Sequence, residues 1–298
     1  VAAAARRAES GFPLLVPRTY LARIRPGDPH DPLLAQVLPR KEELEDTAGF
    51  TTDPVSEADM AQSCGLLRKY RGRALILATA ACAVHCRFCF RRHISCPNLP
   101  SPPGQWGPAL SQIAADRSIH EAILSGGDPL TLDDDILADL ARRLAKIPHL
   151  RRLRVHTRMP IVIPQRITGE LLSWLRGTRL ASLVVVHVNH PAEIDGPVAA
   201  GLGRLVDAGV PVLSQSVLLH GINDRIATLA ELYQRLVDLR VMPYYLHQLD
   251  RVAGAAHFEV PESTGRQLLS QLRARLPGYA VPRYVRETPG EPNKRVLG

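Results

Sequence analysis

The stretch ATAACAVHCRFCFRRH (residues 78–93) places three cysteines, Cys82, Cys86 and Cys89, within eight residues. The whole chain has five cysteines, so most of them stand in this one loop. The loop follows an apolar, strand-like segment, and its spacing of three residues and then two brings three thiolates together. An iron–sulfur cluster is normally held by four Cys thiolates. Three thiolates without a neighbouring fourth therefore predict a four-iron cluster with one iron left open for a small molecule.

Other ligand sets are compatible with the same spacing. Cys96 is a candidate fourth ligand, although it lies beyond a run of charged residues and is equally well a free thiol. A zinc site is the main alternative, because structural zinc prefers a closed tetrahedron of Cys and His ligands. His85 and His93 stand near enough in the sequence to complete such a site. The spacing alone leaves these alternatives open.

The composition is ordinary for a soluble globular protein, with 45% hydrophobic and 22% charged residues among the 298. No apolar run approaches the ~18 residues of a membrane span, and the N-terminal segment lacks the long apolar core of a signal peptide. We therefore expect a cytoplasmic protein with reduced thiols and no membrane partner. The formal charge of +8 is spread along the chain, which favours anionic cofactors and substrates over nucleic acid as partners.

The composition divides the chain into two parts. Residues 1–66 are rich in proline and charge and predict an N-terminal extension of short helices and loops. Residues 67–298 alternate short apolar runs with segments of helical period, which predicts parallel βαβ units. Six repeats predict an α/β fold, a partial (β/α)6-type barrel. The apolar runs are ALILAT (74–79), EAILSG (121–126), LRVHT (153–157), LVVVHV (183–188), PVLSQSVLL (211–219) and MPYYLH (242–247), and the helix-like segments are residues 132–147, 168–177, 197–209 and 226–240.

Polar residues stand at the carboxyl ends of the predicted strands, where barrel enzymes gather their functional groups. Gly126 and Gly127, at the end of the second predicted strand, let the backbone approach a ligand closely. A tight turn in which Asp128 caps a helix is the alternative. A histidine in an apolar strand is likewise compatible with a packed core residue. The residues are Ser125, Gly126, Gly127, Asp128, His156, His187, Gln215, His247 and Asp250.

The pattern Cys82-x3-Cys86-x-Phe88-Cys89 resembles the signature of radical S-adenosylmethionine (SAM) enzymes. Further segments resemble the lysine 2,3-aminomutase family over nearly all of the chain after residue 65, and their order and spacing match together. The closest resemblance is to the bacterial branch that makes (R)-β-lysine for elongation factor P. The segments are KYRGRALIL (69–77), CRFCFRRH (86–93), SGGDPLTL (125–132), HVNHPAEI (187–194), QSVLLHGIND (215–224), YYLHQLDRVAGAAHF (244–258) and GEPNK (290–294).

The resemblance implies three cofactors. The three cysteines would hold a [4Fe–4S] cluster whose open iron chelates SAM, and pyridoxal 5′-phosphate (PLP) would form a Schiff base with Lys294 in a glycine-containing loop. After this lysine the chain departs from the usual Lys-Thr-Pro continuation of the family. By the same resemblance, SAM is bound by Ser125, Gly126, Gly127, Asp128, His187 and Gln215, and the PLP phosphate by Arg73, with Tyr70 and Lys69 as further candidates.

The resemblance also assigns residues to the two ends of an amino-acid substrate. Arg91 matches the position that binds the substrate carboxylate, and Arg suits this role because its planar fork can donate two hydrogen bonds to one carboxylate. Asp250 matches the site of the distal ammonium. Glu287 stands where the family has a second acidic residue, normally Asp. This acidic pair implies a cationic amino acid as the substrate.

The resulting expectation is an isomerase that converts (S)-α-lysine to (R)-β-lysine for elongation factor P modification. A metabolic lysine 2,3-aminomutase serving catabolism or osmolyte synthesis is the alternative, and the shortness of the chain favours the first. An alternative from another class is a zinc-stabilised basic protein that binds RNA. Both aminomutase functions imply an electron donor of the flavodoxin or ferredoxin type. The elongation factor P function also implies a functional link to the lysylation of that factor. A homodimer is compatible with either function.

Overall fold

The computed structural model describes residues 2–63, 65–93 and 106–298, so the candidate ligand Cys96 lies outside the described residues. Within these ranges the strands form one sheet whose spatial order is the order of the chain, and the sheet does not close. The pairs are parallel from β3 to β9 and antiparallel at both edges. The strands are β1 Ala61–Ser63, β2 Leu66–Leu67, β3 Arg73–Thr79, β4 Glu121–Gly126, β5 Arg152–Thr157, β6 Ala181–His187, β7 Val212–Val217, β8 Met242–His247, β9 Arg283–Arg286 and β10 Arg295–Val296.

Helices connect the parallel strands, as the predicted βαβ rhythm requires. The helix Asp134–Ala145 (α5) shows why one face of such a helix turns inward: its buried residues Leu137, Leu140, Ala141 and Leu144 recur at the spacing of one helical face. The helices are α1 Ala2–Gly11, α2 Arg18–Leu21, α3 Pro32–Ala35, α4 Gly107–Ala115, α5 Asp134–Ala145, α6 Met159–Val162, α7 Gly169–Arg176, α8 Gly196–Asp207, α9 Ile226–Asp238 and α10 Glu262–Arg275. None of the helices in the described ranges is both long and apolar enough to cross a bilayer.

The predicted open α/β barrel is confirmed, with β3 to β8 at the six predicted runs. The sequence also predicts α5, α7, α8 and α9, but it misses the seventh parallel strand, β9. This strand has only four residues, of which Tyr284 and Val285 are buried between two arginines. So short a run carries no periodicity that would separate it from a loop.

The N-terminal segment packs against the barrel. Tyr20, Leu33 and Val37 are buried in the same hydrophobic core as the strands of the sheet. Leu66 of β2 pairs with Ile76 of β3, so the boundary predicted between residues 66 and 67 falls inside a strand. The division into an extension and a barrel stays a prediction.

The loop that follows β4 lies directly on the backbone that follows β3. The amide of Gly127 donates to the Thr79 carbonyl oxygen at 2.7 Å, and the amide of Asp128 donates to the Ala81 oxygen at 2.8 Å. A Cβ atom at residue 127 would lie 2.1 Å from the Ala81 oxygen. Gly126 has a φ of +128° and its Cβ would lie 2.3 Å from the Thr79 oxygen. Residues 126 and 127 must therefore both be glycine for the two backbone segments to lie this close.

We predict that Gly127→Ala destabilises the protein by about 3 kcal/mol, because the obstructing atoms are backbone and cannot rotate away. Gly203→Ala is the matched control. Gly203 lies inside α8, and no neighbouring atom stands within 4 Å of the place where an alanine methyl would sit, so its substitution should be neutral or stabilising by roughly 0.5–1 kcal/mol. Urea denaturation followed by circular dichroism measures both free energies of unfolding. Equal stability of the two variants would contradict the prediction.

Candidate active site

A cavity of about 720 Å³ opens at the carboxyl ends of the parallel strands. This volume is within the range of typical ligand sites. Every residue that the family resemblance assigns to the site lines it, so the sheet brings together groups that are up to 225 residues apart along the chain, from residue 69 to residue 294. These lining residues are Lys69, Tyr70, Arg73, Cys82, Cys86, Cys89, Arg91, Ser125, Gly126, Gly127, Asp128, His187, Gln215, Asp250, Glu287 and Lys294.

The three cysteines share one wall of the cavity and are free thiols. Burial raises the pKa of the Cys82 thiol well above its ordinary value and that of Cys89 to about 11. A coordinating metal reverses this preference, because it deprotonates its thiol ligands outright. Among the described residues, no group of three or more His, Cys, Asp or Glu side chains is placed to hold a single metal ion. The zinc alternative therefore finds no ligand set in this part of the chain.

The cysteine loop is fastened to the N-terminal segment by a buried carboxylate. Arg87, which lies between the second and third cysteines, donates through Nε to Oε1 of Glu43 at 2.9 Å and through Nη2 to Oε2. Arg92, three residues after the last cysteine, donates to the same Oε2 atom. The side chains of Glu43 and Arg87 are almost fully buried. One acidic residue thus holds both sides of the loop.

The Asp128 side chain is fully occupied within the protein. Its carboxylate accepts hydrogen bonds from the Thr157 hydroxyl at 2.7 Å and from the backbone amides of Leu130, Arg158 and Met159. It therefore caps the turn after β4 and ties this turn to the end of β5. Its predicted contact with SAM stays a prediction.

Arg91 is held by a carboxylate of the chain itself. Its Nε and Nη2 atoms each donate to one oxygen of Glu57 at 2.7 Å, and Nη1 donates to the Ser125 hydroxyl at 3.0 Å and the Gly126 carbonyl at 3.1 Å. The planar fork expected to bind a substrate carboxylate is therefore engaged by Glu57 in this structure. The role of Arg91 in substrate binding stays a prediction. It requires Glu57 to release the Nε and Nη2 atoms of the guanidinium.

Three histidines at strand ends face the cavity, and burial keeps all three neutral. It lowers the pKa of His187 to about 3, with Arg158 acting in the same direction, and it lowers the pKa of His156 and His247 well below the ordinary value. The Nε2 atoms of His156 and His187 are buried without a hydrogen-bond partner in the described residues. The His187 ring stacks on Phe88, with 5.6 Å between ring centroids. The cavity thus offers uncharged, unsatisfied nitrogen atoms to a ligand.

Lys294 and Glu287 form an ion pair at the sheet edge. Arg295 of β10 is opposite Arg286 of β9, so Glu287 and Lys294 extend the same antiparallel register by one position. The Lys294 ammonium donates to Oε2 of Glu287, while the Tyr70 hydroxyl donates to Oε1. Lys69 lies 3.1 Å from Oε1. Although burial acts to raise it, these partners hold the pKa of Glu287 below its ordinary value.

Asp250 is the exception among the carboxylates that line the cavity. Burial raises its pKa to about 6, with Lys294 acting in the opposite direction. Among the described residues, no side chain forms a hydrogen bond or an ion pair with its carboxylate. A half-buried carboxylate without an ion-pair partner is costly, so this position suits a cationic ligand.

Sequence reasoning missed three residues that hold the site: Glu43, Glu57 and Arg158. Arg158 follows β5 directly, at the strand end where functional groups gather, and this position was a usable signal. Glu43 and Glu57 stand in the proline-rich N-terminal segment, where no periodic pattern points toward the barrel.

Comparison with known proteins places the chain among isomerases. It is 45% identical over 283 residues to L-lysine 2,3-aminomutase of Haemophilus influenzae, an alignment that covers 95% of this chain and 84% of that protein. The Escherichia coli protein of the same name is 45% identical over 294 residues, covering 99% and 86%. The chain belongs to the L-lysine 2,3-aminomutase family. It is therefore an enzyme of the isomerase class, although no family model matches it.

Solved structures agree with the fold of this family member. Streptococcus suis SuiB bound to S-adenosylmethionine has a TM-score of 0.55 at 13% identity, over 74% of this chain and 51% of that one. The structure of anSMEcpe with bound AdoMet and a peptide has a TM-score of 0.51 at 12% identity, over 66% and 57%. At such low identity these matches show the fold alone, an open α/β barrel.

We predict that His187→Gln makes the ligand-free protein less sensitive to acid. The folded pKa of His187 lies below its unfolded value of about 6.5, so between pH 6.5 and about 3 the unfolded chain binds a proton that the folded chain does not. The free energy of unfolding therefore falls with falling pH, and removing this histidine should flatten the slope by up to about 1.4 kcal/mol per pH unit.

Urea titrations at several values between about pH 7 and pH 5 measure this difference in slope. His30→Gln, at an exposed histidine, is the control for the loss of an imidazole. Parallel pH dependences of the wild type and His187→Gln would show that the buried ring takes up its proton in the folded state.

Proposed function

We propose that this enzyme is a PLP-dependent radical SAM aminomutase that converts (S)-α-lysine to (R)-β-lysine, the product serving the modification of elongation factor P. One observation carries the proposal. A single cavity contains three free cysteines, a lysine of the chain and a half-buried carboxylate without an ion-pair partner among the described residues. Moving an amino group between C2 and C3 of an amino acid requires the removal of an unactivated hydrogen, and these groups fit the cofactors that such a reaction needs.

The residues fit a [4Fe–4S] cluster with SAM. Cys82, Cys86 and Cys89 would hold the cluster, and the unpartnered Nε2 of His187 offers a hydrogen bond to SAM beside them. The close packing at Gly127 keeps the loop after β4 flat against the cysteine loop. When bound, the cluster and SAM supply a carbon-centred radical that can abstract hydrogen from an unactivated carbon. The chain's own contribution is to bind these groups and to keep them in a cavity away from bulk water.

The residues also fit PLP. The chain has four lysines, Lys41, Lys69, Lys146 and Lys294, and only Lys69 and Lys294 line the cavity. Lys294 is the candidate attachment point, with Arg73 and Tyr70 nearby on the same wall as cationic and hydroxyl donors for a phosphate. The Arg73 guanidinium lies 5.0 Å from the centre of the Tyr70 ring. When bound, PLP supplies a conjugated ring that can stabilise an unpaired electron during migration of the amino group.

The charges of the cavity support a cationic amino acid as the substrate. Asp250 would hold the distal ammonium of lysine, because its carboxylate is half-buried and has no partner of its own in the described residues. Glu287 would join it once the ammonium of Lys294 is no longer its partner. Arg91 would take the substrate carboxylate in exchange for Glu57.

The choice of the elongation factor P branch rests on the resemblance of two segments to that branch, YYLHQLDRVAGAAHF (244–258) and GEPNK (290–294). Under this proposal, a reduced flavodoxin or ferredoxin supplies the electron and the elongation factor P lysylation machinery uses the product.

Chiral product analysis tests the proposal. The anaerobically reconstituted enzyme, with SAM, PLP and a reductant, should convert (S)-α-lysine to (R)-β-lysine, whereas the (S) isomer would indicate the metabolic alternative. Cys86→Ala should lose its iron and all product, because a cluster with two protein ligands is not retained. Cys96→Ala, the control, should keep both. Tightly bound zinc without inorganic sulfide in the wild type would contradict the proposed enzyme.

We predict that Lys294→Ala abolishes covalent attachment of PLP. Borohydride reduction followed by peptide mass spectrometry should show the adduct on Lys294 in the wild type and nowhere in the variant. Lys146→Ala, at an exposed lysine outside the cavity, should label as the wild type does. Lys294→Ala should still cleave SAM but form no β-lysine. A normal rate of β-lysine formation by this variant would make the assignment wrong.

A further inference from the structure

A buried arginine reaches the middle cysteine of the proposed cluster loop. Nη1 of Arg158 donates to the Cys86 sulfur at 2.7 Å. Cys89 accepts a hydrogen bond from the backbone amide of Arg91. Among the described residues, Cys86 is thus the cysteine whose sulfur contacts a full positive charge.

The guanidinium is held by hydrogen bonds from its Nη2 atom and by two aromatic rings, while its Nε atom is buried without a hydrogen-bond partner in the described residues. Nη2 donates to Oε1 of Gln36 at 2.7 Å and to Oε2 of Glu193 at 2.8 Å. The guanidinium carbon lies 5.6 Å from the ring centres of both Tyr20 and Phe88. Arg158 is 5% exposed and Glu193 is fully buried, so water does not screen this charge.

The acidic partner is itself immobile. Oε1 of Glu193 accepts hydrogen bonds from the backbone amides of Asn189 at 2.8 Å and His190 at 3.0 Å, and from Nε2 of Gln36 at 3.3 Å. Glu193 therefore cannot follow the guanidinium, and the guanidinium cannot turn away from the sulfur without losing these bonds. Because Glu193 binds the Nη2 side, the positive charge at Nη1 is closer to the sulfur than the compensating negative charge is.

We infer that Arg158 raises the reduction potential of the cluster by donating a charged hydrogen bond to the Cys86 ligand. Hydrogen bonds to cluster sulfurs and nearby charges are among the factors that set such potentials. Reduction adds one electron from the external donor to the cluster, and the increased negative charge on its sulfurs strengthens the bond from Arg158. This inference rests on the proposed function, which supplies the cluster. Arg158 is thereby a positioning residue that acts through Cys86.

Substitutions that change the charge in different ways test this role. Arg158→Met removes the cation and leaves Glu193 unpaired, so the reduced cluster should be disfavoured most. The double variant Arg158→Met/Glu193→Gln removes the cation and the anion together, so its potential should lie between that of the single variant and the wild type. Arg158→Lys keeps a charge but loses the planar fork and should shift the potential least.

The measurement is a reductive titration of the reconstituted protein, followed by the electron paramagnetic resonance signal of the reduced cluster. For Arg158→Met we expect at least a tenfold smaller reduction equilibrium constant, which corresponds to about 59 mV more negative for a one-electron couple. Arg154→Met is the matched control, because Arg154 is a buried arginine of β5, the strand that Arg158 follows, and its guanidinium pairs with Glu121. It should shift the potential much less.

The outcomes separate this inference from the proposed function. A wild-type protein that binds no cluster would contradict the proposed function. A wild type with a full cluster, and Arg158 variants that keep their iron but share its potential, would overturn the inference alone. Loss of the cluster from all three Arg158 variants while they remain folded would also overturn it, because Arg158 would then serve the architecture of the loop. The double variant guards against misfolding caused by an unpaired Glu193.

Discussion

The buried carboxylate of Glu43 is the contact on which the candidate site depends. Residues 81–93, which contain the three cysteines, form neither helix nor strand, so their backbone gains no support from a regular hydrogen-bond ladder. Glu43 supplies this support by binding Arg87 and Arg92 at the same time. Removing one partner of a buried ion pair is strongly destabilising, because it leaves an uncompensated charge. The N-terminal segment is therefore a structural requirement of the loop that it covers.

The ligand-free cavity balances most of its own charges. Arg91 is paired with Glu57, and Lys294 with Glu287. An unpaired charge at either place would carry a desolvation cost, and these pairs offset it. Under the proposed function, substrate and cofactor would replace partners that are already present, so binding would exchange one ion pair for another. Asp250 combines a raised pKa with the lack of an ion-pair partner among the described residues, which marks it as the place where a new positive charge gains most.

The sequence predicts the barrel well because each central strand is a continuous apolar run followed by an amphipathic helix. It also predicts which residues line the cavity, since the parallel strands bring their carboxyl ends to one edge. It fails for the partners of those residues. Glu43 and Arg87 are 44 positions apart, and Arg158 and Cys86 are 72 positions apart. Partners so far apart along the chain leave no local periodicity in the sequence. A charged residue in a proline-rich segment also has the same kind of sequence neighbours whether the folded chain exposes it or buries it.

The edge hairpin formed by β9 and β10 has a consequence for how the chain tolerates insertions and deletions. Lys294 faces Glu287 because the intervening turn, residues 288–293, sets the register in which Arg286 and Arg295 are partners. Successive side chains of a strand point to opposite faces, so a slip by a single residue turns every following side chain over. Lengthening or shortening this turn by one residue would point the Lys294 amine toward the opposite, outer face of the hairpin. The length of this solvent-facing turn is thus as strictly constrained as the identity of Lys294, whose orientation it sets.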